Sequence, residues 1–312
     1  MYDPTKAYTD NILEIIKTTW DIPYADISEG IYPVIKKNFD YKEVDHTDGI
    51  GTKGYYYWKE NNYYGAVLDA LAMNLNDLAL MRAIPYKLQN HIMIPEDDKN
   101  IVIAIMMCMA MECEKREIAI TGGETSVHNN MDGMDISMTV SGFVVEEKPN
   151  QFQSGDWLIG LKSTGLHSNG FTKVRELFPG TLSPEFVKPT AIYLDQIIEL
   201  EAKYNIHGMM HITGGAFTKL KKILPSNCDI NIYRSIILEP HQIFKEIYKQ
   251  GVSDEEMYKT FNCGTGFILS VSHHNVMKIL DEYDNADIIG TVVPGKGRVR
   301  IDSMFSGKEV VF

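Results

Sequence analysis

Apolar residues recur at helical spacing in three stretches of the first half of the chain. These stretches are 9–19, 65–82 and 100–116, and Asn100 could cap the third. Apolar side chains three or four residues apart lie on one side of a helix, so the spacing predicts three helices. The longest apolar run, 101–111, is well short of the roughly 20 residues that a membrane span needs. It therefore predicts a buried helix or an interface helix.

Segments rich in β-branched and aromatic residues predict strands between these helices. In the first half they are 41–58, 86–95, 118–120 and 134–145. In the second half, predicted strands lie near 157–161, 266–272 and 287–301, and predicted helices near 169–178, 189–205, 216–223, 240–250 and 274–283. Strands alternate with helices in both halves, which predicts an α/β or α+β fold.

A polar segment, 146–155, separates the two halves and contains Pro149 and Gly155. Such segments are typical of domain boundaries. We therefore predict an N-terminal domain at 1–148 and a C-terminal α/β domain at 149–312. Domains of this size each bury a core large enough to fold.

Charge and cysteine content narrow the classes of partner. The formal net charge is −12, and an acidic surface repels nucleic acid and anionic membranes, so neither is an expected partner. The four cysteines form no C-x-x-C pair and no histidine cluster accompanies them, which predicts reduced thiols in a cytoplasmic protein. Residues 1–4 begin no basic and apolar leader, so no secretory signal is predicted.

The segment DGIGTK combines glycines with groups that bind phosphate or metal. Gly49 and Gly51 allow a backbone to approach a ligand closely, and Thr52 and Lys53 can contact phosphate oxygens. Asp48 beside a phosphate would be repulsive unless a metal ion bridged the two. The alternative is a glycine-rich β-turn with an exposed Asp48 and Lys53. The spacing excludes a Walker motif.

Carboxylates elsewhere in the first half suggest the rest of a metal site. Asp69, Asn74, Asn76 and Asp77 interrupt the apolar helix 65–82. Buried carboxylates are unfavourable unless paired or metal-bound, although these residues could instead cap loops or face solvent. The segment 121–125 (TGGET) presents Glu124 at a sheet edge, or forms a plain turn with an exposed glutamate. Asp48, Asp77 and Glu124 together could hold Mg²⁺ against a triphosphate.

Three glycine turns in the second half carry further candidates. His167, in 165–170 (GLHSNG), lies outside any apolar helix face, which argues against a packed core histidine. Ser168 or Asn169 could cap the helix that follows. The turn in 211–215 (HITGG) has N–H groups that could bind an anion. Cys263 is either a nucleophile or, because no histidine adjoins it, a small buried residue, which we favour.

These motifs, in this order, resemble the aminoimidazole ribonucleotide synthetase (phosphoribosylformylglycinamidine cyclo-ligase) family. The similar segments, between about Asp45 and Arg300, are DGIGTK, LNDL at 75–78, ITGGET at 120–125, GLHSNGF at 165–171, KPTAIYL at 188–194, HGMMHITGGAF at 207–217 and EEMYKTFNCGTGF at 255–267. The resemblance implies a two-domain α/β (α+β) fold in a homodimer, with N-terminal strands forming an intersubunit barrel and the active site at the interface.

The resemblance also implies a reaction and its cofactors. Formylglycinamidine ribonucleotide is cyclised to aminoimidazole ribonucleotide, a step of de novo purine biosynthesis. ATP phosphorylates the amide oxygen, the amidine nitrogen attacks the carbon of the iminophosphate, and phosphate leaves. ATP and Mg²⁺ are the implied cofactors, and a monovalent cation is left open.

Roles for individual residues follow from the resemblance. The implied metal ligands are Asp48, Asp77 and Glu124. The implied catalytic residues are Asp48, Glu124 and His167, the last as an acid or base. The implied ATP and phosphate contacts are Gly49, Gly51, Thr52, Lys53, Asn76, Asp77, Gly122, Gly123 and Thr125. The implied substrate contacts are Ser168, Asn169, Thr213, Gly214 and Gly215.

The chain departs from the family pattern in its first 40 residues. Family members carry a glycine-rich segment with a lysine that folds over ATP, whereas Gly30 is the single glycine before Gly49 here. The loop after GGET is also shorter, and Ala216 replaces the third glycine of the HITGG turn. The missing segment motivates an alternative, a non-catalytic nucleotide-binding paralogue of the same fold.

Overall fold

The computed structural model describes residues 8–312. The chain divides into two compact units, Met1–Glu147 and Lys148–Phe312, and the boundary predicted after residue 148 is one residue further along. Residues 1–4, on which the prediction about a secretory signal rested, lie outside the described residues. Among residues 8–312, no helix is both long enough and apolar enough to cross a membrane.

The first unit contains one small hairpin and one larger sheet. Its elements are α1 (Thr9–Lys17), β1 (Ala25–Ser28), β2 (Val34–Lys37), β3 (Lys42–Gly49), a 3-10 helix (Gly51–Lys53), α2 (Gly54–Lys59), α3 (Tyr63–Leu80), β4 (Ala83–Ile94), α4 (Lys99–Glu114), β5 (Ala119–Val127) and β6 (Asp135–Val144). Strands β1 and β2 pair as an antiparallel hairpin. The sheet has the order β3-β6-β4-β5, and its β4–β5 pair is parallel. The three predicted helices are confirmed as α1, α3 and α4.

The two faces of this sheet differ in character. Successive residues of a strand point to opposite faces. One face is apolar, and its buried residues include Leu88, Ile92, Ile120, Ile136 and Val140. Helix α3 packs on β3, β4 and β6, and α4 packs on β5, so the core lies between the apolar face and these helices. The other face is polar and carries Thr47, Gln89, His91, Glu124, Ser137 and Thr139.

Three local predictions for this unit are wrong. Residues 41–58 are not one extended segment, because β3 ends at Gly49 and Gly51, with φ +54°, turns the chain into helix. The GGET segment is not a turn but the middle of β5, where a bulge precedes the pairing of Gly122 with Gln89. Helix α4 is capped by Asp98 rather than Asn100, since the Asp98 carboxylate accepts the Asn100 N–H at 2.7 Å.

The β1–β2 hairpin was not predicted from the sequence. Its strands have four residues each, too short to show a clear alternation. An aromatic cluster anchors its base, with the Phe39 and Phe143 rings 4.3 Å apart and the Tyr24 and Phe143 rings 5.2 Å apart. Its tip extends into solvent, where Ile31 is 89% exposed. The hairpin therefore has a fixed base and an uncovered apolar tip.

The second unit is a single mixed sheet with helices. Its elements are β7 (Trp157–Lys162), α5 (Phe171–Leu177), a 3-10 helix (Pro184–Val187), α6 (Leu194–Lys203), β8 (Ile206–His211), a 3-10 helix (Ala216–Lys222), β9 (Cys228–Ile232), α7 (Gln242–Lys249), α8 (Asp254–Thr260), β10 (Thr265–Val271), α9 (His273–Glu282), β11 (Ala286–Pro294), β12 (Val299–Asp302) and β13 (Glu309–Val311). The strand order is β13-β12-β9-β11-β7-β10-β8.

Two details of this unit differ from the sequence prediction. The strand pair expected near 287–301 is split, because β9 lies between β11 and β12 and pairs with both. The helix expected at 189–205 begins only at Leu194. Both units combine strands with helices, which confirms the predicted α/β (α+β) class.

A buried carboxylate ties the last strands of the second unit together. Asp229 on β9 accepts hydrogen bonds from Arg298 Nε at 2.9 Å and Nη2 at 2.6 Å, and from the backbone N–H of Lys296 at 2.6 Å. Its side chain is 5% exposed. The Arg298 guanidinium and these N–H donors hold the pKa of Asp229 well below its usual value.

We predict that Asp229→Asn lowers the free energy of unfolding at pH 7 by roughly 2–3 kcal/mol, since Arg298 loses its charged partner. A carboxylate with a lowered pKa stabilises the fold above its unfolded pKa of about 3.9 and ceases to do so as the pH falls. The difference in the free energy of unfolding between Asp229→Asn and the wild type should therefore become smaller below about pH 4. Denaturant unfolding between pH 2 and 7 measures this. Glu309→Gln, at an exposed pair with Arg300, is the control and should change stability little at any pH. If the difference in the free energy of unfolding between Asp229→Asn and the wild type did not change with pH, the lowered pKa of Asp229 would be contradicted.

Candidate functional site

The end of β3 is hydrogen-bonded to α3, the helix that carries Asp77. Asn74 on α3 donates from Nδ2 to the carbonyl oxygen of Asp48 at 3.1 Å. Asn74 Oδ1 also lies 3.0 Å from His46 Nδ1, and His46 Nε2 lies 3.3 Å from Asp77 Oδ2. His46 and Asp48 are two residues apart on the strand and share its helix-facing side. Helix α3 therefore holds the backbone of Asp48 through Asn74 and places Asp77 against His46, two residues before Asp48 on the strand.

The electrostatics of this group suit a cation. The hydrogen bond to Asp77 raises the pKa of His46, with Asn74 and the Asp48 charge adding to the effect and burial opposing it. The carboxylates thus already stabilise a positive charge. Mg²⁺ is commonly held by one or two carboxylates together with water and phosphate oxygens. Asp77 keeps 20% of its side chain exposed, so the residues present fit such an ion.

Glu124 lies at the opposite edge of the sheet. The register aligns Gly49, Ser137, His91 and Glu124 in one row from β3 to β5. Three strand spacings separate the two ends of the row, about 14 Å, and Glu124 points to the polar face. No group of three or more His, Cys, Asp or Glu side chains that could hold a metal occurs within residues 8–312. One chain therefore does not gather the three predicted metal carboxylates, and a metal site that contains all three stays a prediction for the dimer.

The predicted phosphate loop is occupied by the protein's own groups. Lys53 is fully buried, and its Nζ lies 2.7 Å from Asp69 Oδ2. The Gly51 N–H donates to Asp135 Oδ1 at 3.2 Å. The prediction that Lys53 contacts phosphate is therefore wrong for this structure. Asn76 is likewise fully buried in α3, whereas Gly51 and Thr52 lie at the surface.

The surroundings of Lys53 explain why it stays in the interior. The Tyr57 hydroxyl donates to the same Asp69 oxygen at 2.6 Å, and the Lys53 ammonium lies 5.1 Å from the centre of the Tyr57 ring. Burial lowers the pKa of Lys53, and the Asp69 carboxylate opposes that effect. Burial and the Asp69 charge raise the pKa of Tyr57 well above its usual value.

A cavity of about 520 Å³ opens on the polar face of the sheet. Gly122, Gly123 and Glu124 of β5 line it, together with the polar residues of β4 and β6, the hairpin tip at 29–33 and Trp20. Thr125 is buried and points to the other face. Among the described residues that line the cavity there are two glutamates, Glu29 and Glu124, but no lysine or arginine. The cavity therefore suits an uncharged polar ligand group better than a bare phosphate.

His167 is a buried residue of the second unit. It is fully buried with φ +61°, and its Nε2 accepts the Thr164 N–H at 3.2 Å. Tyr193 packs near it, with 6.2 Å between ring centres. The sequence argument against a packed histidine was wrong, because neighbouring elements cover the glycine turn that holds it. In this structure His167 is not placed to act as an acid or base on a ligand.

Other predicted substrate contacts of the second unit lie in neighbouring turns. Asn169 donates to the Thr260 carbonyl oxygen at 2.6 Å, and the hydroxyls of Ser168 and Thr190 lie 3.2 Å apart. Gly214 borders Asn169, since a Cβ built there would lie 3.6 Å from Asn169 Oδ1. Gly214 and Gly215 are exposed. The structure thus brings the 165–170, 190 and 213–215 segments together.

Lys219 belongs to this group but was missed from the sequence. Its ammonium donates to Thr213 Oγ1 at 2.9 Å. The signal in the sequence was a lysine one helical turn after the glycine turn. Cys263 lies in the same unit; it is buried, and burial raises the pKa of its thiol well above the usual value. It is a small buried residue and not an activated nucleophile.

Comparisons with known proteins agree in both halves of the chain. Residues 33–144 match the family model described as AIR synthase related protein, N-terminal domain, and residues 153–302 match the corresponding C-terminal domain. The phosphoribosylformylglycinamidine cyclo-ligase of Saccharolobus solfataricus is 35% identical, over 94% of this chain and 91% of that protein. The cyclo-ligase of Methanobrevibacter smithii is 32% identical, over 93% and 92% respectively.

Solved structures show the same fold at much lower identity. The hydrogenase maturation protein HypE in complex with ATP has a TM-score of 0.68 at 15% identity, over 99% of this chain and 95% of that chain. Thiamine-monophosphate kinase from Stenotrophomonas maltophilia has a TM-score of 0.68 at 18% identity, over 97% and 96%. These likenesses concern the fold alone. Because the cyclo-ligases match at above 30% identity over nine-tenths of both chains, the chain belongs to the phosphoribosylformylglycinamidine cyclo-ligase family of AIR synthase related proteins.

Proposed function

We propose that this protein catalyses the ATP-dependent cyclisation of formylglycinamidine ribonucleotide to aminoimidazole ribonucleotide, a step of purine biosynthesis. The observation that carries the proposal is the near full-length similarity to cyclo-ligases. The Asp48–Asp77 pair, which suits a metal–phosphate complex, supports it. No observation favours the non-catalytic alternative.

The reaction needs positioning and charge neutralisation more than covalent help from the protein. The γ-phosphoryl group of ATP moves to the amide oxygen, giving ADP and an iminophosphate. The amidine nitrogen then attacks the activated carbon, and the oxygen leaves as part of inorganic phosphate with loss of a proton. Asp48 and Asp77 would hold Mg²⁺, which when bound supplies neutralisation of phosphate charge.

A second copy of the chain completes this site in our proposal. Strands β3 and β5 are the edges of the four-stranded sheet in the described residues. Thr19 and Trp20 bond the N–H and C=O of Ile120 at the start of β5, before the stretch that carries Glu124. Pairing β3 of one copy with β5 of another would close a barrel with no free edge. The strand that carries Asp48 in one copy would then lie next to the strand that carries the partner's Glu124.

The cavity on the polar face is our candidate for the nucleoside part of ATP. Its volume falls within the range of small-molecule sites, and its lining combines polar side chains such as Thr47, Gln89 and Ser137 with apolar ones, which suits base and ribose. Gly122 and Gly123 would allow close backbone contact. The phosphates would extend across the interface toward Asp48 and Asp77 of the neighbouring copy, which would hold Mg²⁺.

The ribose phosphate of the substrate is assigned to the second unit. The Gly214–Gly215 turn is exposed, and Lys219 stands at its side through Thr213. An ammonium group and free backbone N–H groups at a glycine turn form a suitable anion site. Ser168 and Asn169 border the same turn and could contact the ribose.

The activity is tested by phosphate release that depends on both ATP and formylglycinamidine ribonucleotide, with formation of the aminoimidazole product. We predict that Asp77→Asn lowers kcat by roughly 100-fold or more, as removal of one electrostatic stabiliser commonly does, because the charge that holds the metal is lost. Asp132→Asn, at an exposed position of the same unit, should keep wild-type rates. Folded wild-type protein without turnover would overturn the proposed function.

The shared site is tested by mixing two inactive variants, Asp77→Asn and Glu124→Gln. If each site takes Asp77 from one copy and Glu124 from the other, a mixed dimer has one intact site. After subunit exchange at equal amounts, we expect about a quarter of wild-type activity, because half of the dimers of a two-fold symmetric protein are mixed. A mixture as inactive as its components would place both carboxylates in a site within one chain.

A third prediction concerns His167. Since the ring is buried, His167→Asn should lower the free energy of unfolding by roughly 2 kcal/mol through lost packing, while asparagine tolerates the positive φ. The pH dependence of the remaining kcat should match the wild type. Thermal unfolding and pH–rate profiles measure both effects, with His274→Asn, which replaces an exposed histidine, as the control. If His167→Asn kept the wild-type stability but lost one limb of the pH–rate profile, an acid–base role would again be assigned to His167.

A further inference from the structure

The first unit contains a buried ion pair that the proposed reaction does not use. Lys53 and Asp69 have no exposed side-chain surface, and their charged atoms lie 2.7 Å apart. Tyr57 donates a second hydrogen bond to Asp69. Removing two charges from water is unfavourable, and an apolar pair of similar size often serves stability as well. What this pair adds is a defined position for the two backbone segments that carry Lys53 and Asp69.

The pair joins the two segments that carry the metal carboxylates. Lys53 ends the 3-10 helix that directly follows Asp48 and β3, and Asp69 lies on the same helix, α3, as Asp77. Asp69 and Asp77 are eight residues apart, about 12 Å along the helix. Asn74 lies between them and holds the carbonyl of Asp48. The segment from Asp48 to Lys53 is therefore attached to α3 at two points.

The opposite side of this segment is also constrained. Gly54 lies so close to β6 that a Cβ would stand 1.8 Å from the Met134 carbonyl oxygen. The Gly51 N–H is held by Asp135, which begins β6. The turn is thus held between the sheet on one side and α3 on the other. Loss of the Lys53–Asp69 contact would remove one of the two attachments to α3 and leave the one through Asn74.

We propose that Lys53 and Asp69 are a positioning pair, which fixes Asp48 relative to Asp77 by attaching the glycine turn to α3, and that Lys53 does not contact phosphate. The metal role of the two carboxylates rests on the proposed function. The attachment of the glycine turn to α3 consists of contacts within the protein, so it can be tested without ligand.

The test uses Lys53→Met, Asp69→Asn and the double variant Lys53→Met/Asp69→Leu. We expect each variant to lower kcat by roughly 100-fold, the loss that a misplacement of about 1 Å causes. Each should also raise the Mg²⁺ concentration needed to bind a non-hydrolysable ATP analogue in calorimetry. The double variant should be no worse than either single variant, because the two residues act as one unit. Its thermal stability should exceed that of the single variants, since no unpaired charge stays buried.

Comparison of the two single variants also distinguishes a positioning role of Lys53 from a role in phosphate binding. A phosphate ligand at position 53 would raise the KM for ATP in Lys53→Met and leave Asp69→Asn near the wild type. Equal defects in both single variants support the positioning pair. A double variant with wild-type kcat and Mg²⁺ dependence would overturn it.

Hydrogen exchange of the amides at 49–53 in the ligand-free protein gives a readout independent of turnover. We expect faster exchange in all three variants. The matched control is Glu112→Leu/Arg116→Met, which removes a largely buried ion pair on α4; it should change global stability without selective change at 49–53. Unchanged exchange at 49–53 in the three variants would overturn the positioning pair, whether or not the wild type proves to be a cyclo-ligase. Absent turnover with altered exchange would overturn the proposed function alone.

Discussion

The attachment of the end of β3 to α3 is the constraint on which the candidate site depends. A glycine turn would by itself be free to vary, and a carboxylate at its start would have no defined position. The Asn74 amide holds the backbone of Asp48, and the Lys53–Asp69 pair holds the turn that follows. Both contacts come from the helix that carries Asp77. The distance between the two carboxylates is therefore a property of buried packing and not of a surface loop.

The two-faced sheet extends this constraint to the rest of the first unit. Its apolar face packs on α3 and α4, which fixes the height and direction of α3 above β3. Its polar face cannot contribute to that core, and the residues there instead line a cavity. A sheet with one polar face and two edge strands can pair with another chain along those strands. The proposed closure by a second copy would cover both features and bring the strand that carries Glu124 next to β3 of the other copy.

The sequence predicted what local periodicity and motif order encode, and missed what depends on long-range packing. Helices α1, α3 and α4 were predicted because their apolar spacing is regular. Strand β5 was cut short at Gly122, because Gly-Gly is typical of turns, yet its pairing with β4 carries the strand through the glycines. The motifs predict that Lys53 and His167 contact ligands. Their burial arises from partners distant in the chain, Asp69 and Tyr193, whose proximity no local pattern reveals.

The hairpin bears on the choice between an enzyme and a non-catalytic relative. That alternative arose because residues 1–40 lack a glycine-rich segment to cover ATP. The structure has a β-hairpin in that part of the chain, anchored by aromatic packing around Phe143, and its tip at 29–33 borders the cavity. Glycines make a covering segment flexible, whereas a hairpin has a defined backbone conformation. Ile31 and Tyr32 at the tip are exposed and offer apolar surface that could cover a nucleoside. The absence of the glycine run is therefore no argument against catalysis, since a different element borders the cavity.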